Sequence, residues 1–268
     1  MGILNVTPDS FSDGGQFQSL ELALSHAEQM IADGVDIIDI GGESSRPGAT
    51  PLSEQEELDR VMPVLYALRD CGKALSLDTT KPRVMREAIA AGVDMINDIN
   101  AFRSEGAIAA VAANDGDCAL CLMHMQGEPR TMQQAPVYAD VVDEVGHFLL
   151  QRVAALEAGG VERRRLCIDP GFGFGKTLVQ NLQLLQQLPR LQERLGLPVL
   201  AGLSRKSMIG SITGKAVEGR LAGSIGAALA AVAGGARIVR VHDVAETVDA
   251  LAVWQACEDA GQIPLQNK

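Results

Sequence analysis

Short apolar runs alternate along the chain with longer stretches whose apolar residues recur every three or four positions. The runs are Gly2–Leu4, Asp36–Ile40, Ala74–Leu77, Met95–Ile99, Ala119–Met123, Leu166–Ile168, Val199–Leu203 and Ile238–Val241. Most are rich in Leu or β-branched residues and lack an alternating polar face, as strands buried on both sides of a parallel sheet do. Between them, Leu20, Leu22, Ala23, Ala27, Met30 and Ile31 form a helical stripe that Gly34 ends, and Val84, Met85, Ala88 and Ile89 form another that Gly92 ends. Ser53 with Glu56 three residues on predicts a capping box at a helix start. Further helical stretches fill Glu105–Asn114, Val137–Ala158, Leu178–Leu195, Gly219–Ala233 and Glu246–Ala260. Eight strands, each followed by a helix, predict an α/β fold, a (β/α)8 TIM barrel, over a doubly wound open sheet. No linker or composition break divides the chain, so residues 1–268 are read as a single domain. A barrel of this kind takes roughly 250 residues.

Composition narrows the function classes. A net charge of −11 with few basic clusters argues against nucleic acid as a partner. The densest cluster, Arg163-Arg164-Arg165, is read as a solvated turn before a strand. No apolar run is long enough to span a membrane and no signal peptide is evident, so a cytoplasmic location is expected. The five cysteines are odd in number and scattered, which fits free thiols in a reducing compartment. Cys118 and Cys121 are spaced as a C-x-x-C without a second pair and lie in an apolar run, so they are read as two buried core thiols on a strand rather than a zinc or redox site.

Candidate chemistry gathers at the strand ends. In order these give Asn5, Asp39, Asp78, Asn97 with Asp98, His124, Asp169, Ser204 with Lys206, then Arg240 with His242. Active-site groups of a barrel come from these ends and the loops after them, and a polar residue at every one favours a ligand site over separate structural roles. Asp78, Asp169, Asn97 and Lys206 supply acceptors and donors for the edge of a flat, nitrogen-rich heterocycle. Arg46, Arg240 and His242 suit a separate cationic patch for phosphate oxygens. Asn5 can offer its side-chain oxygen to Mg²⁺ carried with a pyrophosphate. The run from Asp169 to Thr177 fails as a P-loop, because Pro170 stands where the first glycine belongs. Its glycines instead let backbone approach a ligand closely, with Phe172 and Phe174 as aromatic walls or core. The Pro-, Gly- and Ser-rich loops at residues 6–15 and 41–50 are read as lids over the barrel mouth. His26, His147 and Trp254 fall on predicted helices and are read as surface or packing residues.

The stretches NVTPDSFSDGG, DIGGESSRPGA, NDI, MHMQG, DPGFGFGK, SRKSMIG and RVHDV occur in this order, and together they resemble the dihydropteroate synthases from Gly2 to about Asp249. That resemblance implies an enzyme of folate biosynthesis. It would condense 6-hydroxymethyl-7,8-dihydropterin pyrophosphate with p-aminobenzoate to give 7,8-dihydropteroate and pyrophosphate. It further implies Mg²⁺ at Asn5 and the pyrophosphate on Arg46, Arg240 and His242. The pterin would lie on Asp78, Asn97, Asp169 and Lys206, with Met123 against its face. The p-aminobenzoate pocket, where sulfonamides compete, would be shaped by Ser45, Pro47, Phe174, Ser204 and Lys206. Asp78, Asp169, Lys206, Arg240 and His242 would carry the catalysis, with Asp39 either supporting them or anchoring the loop after its strand. A homodimer is the expected assembly.

Ser45 stands where the family usually has Thr, which keeps the hydroxyl and loses a methyl. Family members also often carry a segment ahead of the first strand, which leaves open what covers the barrel bottom. Two other readings remain at this point: a methyltetrahydrofolate-binding corrinoid methyltransferase on a similar barrel, and a non-catalytic pterin-binding subunit. Methyl transfer to a corrinoid protein would mark the first, and tolerance to loss of Asn5, Arg46 or Lys206 the second.

Overall fold

The computed structural model describes residues 1–6, 16–44, 51–113, 116–127, 132 and 136–260. The candidates Ser45, Arg46 and Pro47, and most of the two loops read as lids, lie outside the described residues.

Strands and helices alternate in the order β1 (Gly2–Asn5), α1 (Gln16–Ala32), β2 (Ile37–Gly41), α2 (Glu54–Leu68), β3 (Ala74–Asp78), α3 (Pro82–Ala90), β4 (Met95–Asp98), α4 (Ala107–Ala112), β5 (Ala119–Met123), α5 (Val141–Ala158) and β6 (Leu166–Asp169). There follow α6 (Leu178–Gln186), α7 (Leu188–Leu195), β7 (Leu200–Ala201), α8 (Ser207–Thr213), α9 (Leu221–Ala233), β8 (Ile238–Val239) and α10 (Val244–Ala260). β1 to β6 form one parallel sheet in sequence order, and β7 pairs with β8 in a second. Parallel bridges Ile168↔Val199 and Gly2↔Val241 join the two sheets edge to edge and close the barrel.

The pleat decides what faces where, because alternate residues of a strand point to opposite sides. Leu4, Ile38, Ile40, Leu75, Leu77, Ile96, Leu120, Leu122 and Ile168 belong to the large core shared with the helices. The intervening residues Met95, Cys121, Cys167 and Leu200 pack with Met1, and with Ile37, Ala119 and Ile238, as a separate apolar floor. The strand residues one pleat beyond that floor are Asp39, Asn97, Met123 and Asp169, so the polar set stands inside the wall, toward the C-terminal ends. Cys118 and Cys121 are both buried, but Cys118 lies one residue before β5, and the three-residue step turns the two thiols to different clusters.

Local chemistry accounts for the differences from the expected elements. The capping box at Ser53 and Glu56 is present. The stretch expected as one helix over Leu178–Leu195 is two, because Pro189 sits in the first turn of α7 and cannot continue α6. α5 starts at Val141, since the Asp140 carboxylate accepts from the amides of Val142 and Asp143 and caps it there. α8 was not anticipated, since its seven residues are too short for a periodic stripe. The reading of Arg163–Arg165 as a solvated turn holds for Arg163 and Arg164, which are exposed, but not for Arg165. Arg165 is buried and donates to the carbonyls of Cys118 and Val111, while Arg163 donates to that of Leu195.

Candidate active site

The inner face of the barrel wall holds a chain of charged groups. Arg240, one residue past β8, sends Nε to Asp39 Oδ2 at 2.6 Å and Nη2 to Asp78 Oδ2 at 3.0 Å. Asn97 donates through Nδ2 to the same Asp39 oxygen at 3.3 Å. Asp39 is fully buried, and its Oδ1 has no hydrogen-bond partner among the described residues. Asp39 thus holds Arg240 and Asn97 in place. Arg240 does not form a patch apart from the ring-edge residues: the two carboxylates draw it inward, which commits two of its five N–H donors. Burial pushes the Asp78 carboxyl up to about 7, with Arg240 opposing the shift and Asp39 adding to it.

Across the mouth, Asp169 ends β6 and accepts from the amide of Gly171 at 2.7 Å. Burial raises its carboxyl, against the pull of Lys206 and Lys176. Lys206 donates to the carbonyl of Phe172 and stands over the Phe174 ring, 4.3 Å from its centroid. Burial lowers the Lys206 ammonium to about 8, with Asp169 holding it up and Arg240 pushing it down. Phe172 itself is wholly buried core. Met123, Met125 and Met132 pack together with Ile99 and Phe174, forming an apolar, polarisable face beside these charges. His242 Nδ1 lies 3.0 Å from Ser204 Oγ, which also accepts from the His242 amide at 3.2 Å. Asn5 closes the ring at the end of β1, where a Cβ built on Gly41 would stand 3.6 Å from its Oδ1 and 3.8 Å from the Asp78 Cβ.

The structure thus brings together Asn5, Asp39, Asp78, Asn97, Met123, Asp169, Phe174, Ser204, Lys206, Arg240 and His242. Two expected rim groups turn away. Asp98 accepts from the amides of Asn100 and Phe102, both at 2.7 Å, and fixes the turn after β4. His124 is buried edge-on to Phe148, and burial followed by Lys176 pushes it down to about 2, so it stays neutral.

Lys176 is the residue that sequence reasoning overlooked. Its ammonium is buried, meets His124 Nδ1 and donates to the carbonyls of Gly171 and Phe174, each at 2.9 Å. It therefore organises from beneath the loop that presents the Phe172 carbonyl and the Phe174 ring to Lys206. The only signal in the sequence is a lone Lys closing a glycine-rich run.

A metal has few protein ligands to choose from. Among the described residues no group of three or more His, Cys, Asp or Glu side chains could hold an ion. Asn5 offers one neutral oxygen. Such a donor set fits Mg²⁺ that keeps several waters and arrives on substrate phosphates, and does not fit an all-protein cage.

Known proteins resemble this chain over nearly its whole length. A family described as pterin binding enzyme matches residues 1–242. Dihydropteroate synthase of Neisseria meningitidis serogroup C is 52% identical over 259 residues, covering 96% of this chain and 91% of that protein. Among solved structures, the Xanthomonas albilineans dihydropteroate synthase with 4-aminobenzoic acid superposes with a TM-score of 0.90 at 54% identity, covering 98% of this chain and 93% of that one. The Burkholderia cenocepacia dihydropteroate synthase complexed with 7,8-dihydropteroate gives a TM-score of 0.89 at 52% identity, covering 98% and 92%.

Proposed function

Because the chain belongs to the pterin binding enzyme family, among its dihydropteroate synthases, we propose a role for each residue of its site in that reaction. The enzyme is a transferase of folate biosynthesis: it joins p-aminobenzoate to 6-hydroxymethyl-7,8-dihydropterin pyrophosphate and releases pyrophosphate and 7,8-dihydropteroate. The observation that carries the residue assignment is the bridge Asp39–Arg240–Asp78, which links an anion-binding group directly to a ring-edge acceptor.

Asp78, Asn97, Asp169 and Lys206 grip the pterin edge, and Met123 lies against its face. Arg240 and His242 take the pyrophosphate. Ser204, Phe174 and Lys206 shape the p-aminobenzoate pocket, where sulfonamides compete. Ser45, Arg46 and Pro47 are assigned to the p-aminobenzoate and pyrophosphate sites on sequence alone. When bound through Asn5, Mg²⁺ would neutralise part of the pyrophosphate charge.

An arylamine is a poor nucleophile, so the CH₂–O bond breaks first; the amine nitrogen then bonds to the CH₂ carbon and gives up a proton to solvent. Arg240 and His242 stabilise the charge that develops on the departing pyrophosphate. Asp78 and Asp169 stabilise the positive charge that spreads from the CH₂ carbon into the ring. The whole chain, residues 1–268, acts as one catalytic domain. It works in the cytoplasm as a homodimer, consistent with the uncharged α9, whose Ala222, Gly226, Ala230 and Ala233 are exposed along one face. No helix among the described residues is long and apolar enough to cross a membrane.

Pyrophosphate release from the pterin pyrophosphate tests these assignments. Release that requires Mg²⁺ and keeps step with p-aminobenzoate consumption supports them, and metal-independent release removes Asn5 from the scheme. The Lys206 ammonium, lowered to about 8 by burial, gives a second test. Its charge is present below that value and lost as pH rises through it. The kcat/KM for p-aminobenzoate, a carboxylate, is therefore expected to fall above pH about 8, and Lys206→Arg should move that limb upward. A limb at the same pH in the variant would belong to another group.

A further inference from the structure

Ser204-Arg205-Lys206 holds two residues of the site around one whose role is unassigned, and Asp243 follows His242 in the same way. Arg205 has φ +57, a left-handed conformation that a branched or long L side chain adopts only against resistance. The Lys206 amide donates to the Leu203 carbonyl, so Arg205 occupies the third position of a tight turn, where glycine is the usual resident. Such strain persists only where the surroundings fix it.

The surroundings here are specific. Arg205 pairs with Asp243 through both arms, Nε to Oδ2 at 3.1 Å and Nη2 to Oδ1. Its amide donates to Ser224 Oγ at 2.9 Å, and its carbonyl accepts from Arg220 Nη1 at 3.0 Å. Arg220 can lie there because Gly210 has no side chain; a Cβ would sit 2.3 Å from its Nη2. Asp243 is fixed in turn, since its carbonyl accepts from Thr247 Oγ1 at 2.6 Å. The strands beneath these loops pair over only two residues each, too short a ladder to set the spacing of the loops by itself.

We propose that Arg205 and Asp243 are positioning residues: their two-armed ion pair fixes the loop after β7 against the loop after β8 and so sets where Lys206, Ser204 and His242 stand. This rests on the assignment of those three residues to the substrate site. Arg205 and Asp243 need not touch substrate, because displacing a reacting group by about 1 Å is enough to cost on the order of a hundredfold in rate.

The test is a double-mutant cycle with Arg205→Asn, Asp243→Ala and the pair, read as steady-state kinetics and thermal midpoint. Asn tolerates the left-handed conformation, so Arg205→Asn is expected to keep its thermal midpoint while KM for p-aminobenzoate rises about tenfold or more. The double variant should be no worse than the worse single one. Additive losses, unchanged kinetics, or kinetic losses that track a falling midpoint would each overturn the proposal. Lys206→Ala and His242→Ala belong in the same assay. Full activity in those two would remove the site assignment itself, whereas their loss beside normal Arg205→Asn kinetics would overturn the positioning role alone.

Discussion

Arg240→Leu should cut kcat/KM by about a hundredfold to a thousandfold and destabilise the fold at neutral pH. The kinetic loss follows from removing a fixed positive group from the place where pyrophosphate charge develops. The stability loss has a different origin. Arg240 is the shared partner of Asp39, which is wholly buried, and Asp78, which keeps about a fifth of its side chain exposed. Leaving buried carboxylates without their cation costs about 3–5 kcal/mol.

The pH dependence separates the two effects. The Asp78 carboxyl is raised to about 7 even with Arg240 present, so its folded form binds a proton more readily than the unfolded chain. Its ionisation costs stability as pH rises from the unfolded carboxylate range through about 7. Without Arg240 that cost grows. The gap in thermal midpoint between variant and wild type should therefore narrow as pH is lowered from 8 to 5, while the activity defect persists at both. A gap independent of pH would mean that the carboxylates do not depend on Arg240 for their charge.

Gly171→Ala is expected to destabilise the protein by about 4 kcal/mol or more, among the largest effects of a single methyl. Gly171 has φ +70, and its Cβ would lie 1.8 Å from the His124 carbonyl oxygen. That oxygen cannot retreat cheaply, because the His124 amide is bonded to the Asp169 carbonyl and Lys176 ties His124 to the loop. Gly72 provides the control, with φ +75 and nothing within 4 Å of its Cβ position. Gly72→Ala should show the conformational cost alone, about 1–2 kcal/mol. Equal urea midpoints for the two variants would show that the loop after β6 can shift, and that Lys176 does not hold it.

The barrel was legible because its strands are buried on both faces and its helices on one, so period and length separate them. The strand-end rule likewise picked out residues that the fold gathers at the barrel mouth, including Asp39, Asp78, Asn97, Asp169 and Arg240. What it missed is pairing between strands distant in sequence. Arg240 was expected to stand with other cations, yet it faces Asp39 and Asp78, 201 and 162 residues away. Nothing local could reveal that Asp98 and His124, polar and correctly placed, serve the backbone and Lys176 instead. Lys176 was hidden for a further reason: a buried ammonium is recognised by the carbonyls around it, and carbonyls carry no sequence.

The barrel closes unevenly. β2 and β3 share five register pairs, whereas β7 and β8 share two, and single bridges join each to the six-stranded sheet. This wall is a seam, and it runs directly beneath Arg240 and His242. The amides of Ile168, Arg240 and Val241, which hold the seam, should exchange with deuterated solvent well before those of β3 to β5. Adding pyrophosphate with Mg²⁺ should slow them selectively, so that the leaving group, while bound, acts as a clasp on the part of the barrel that opens first.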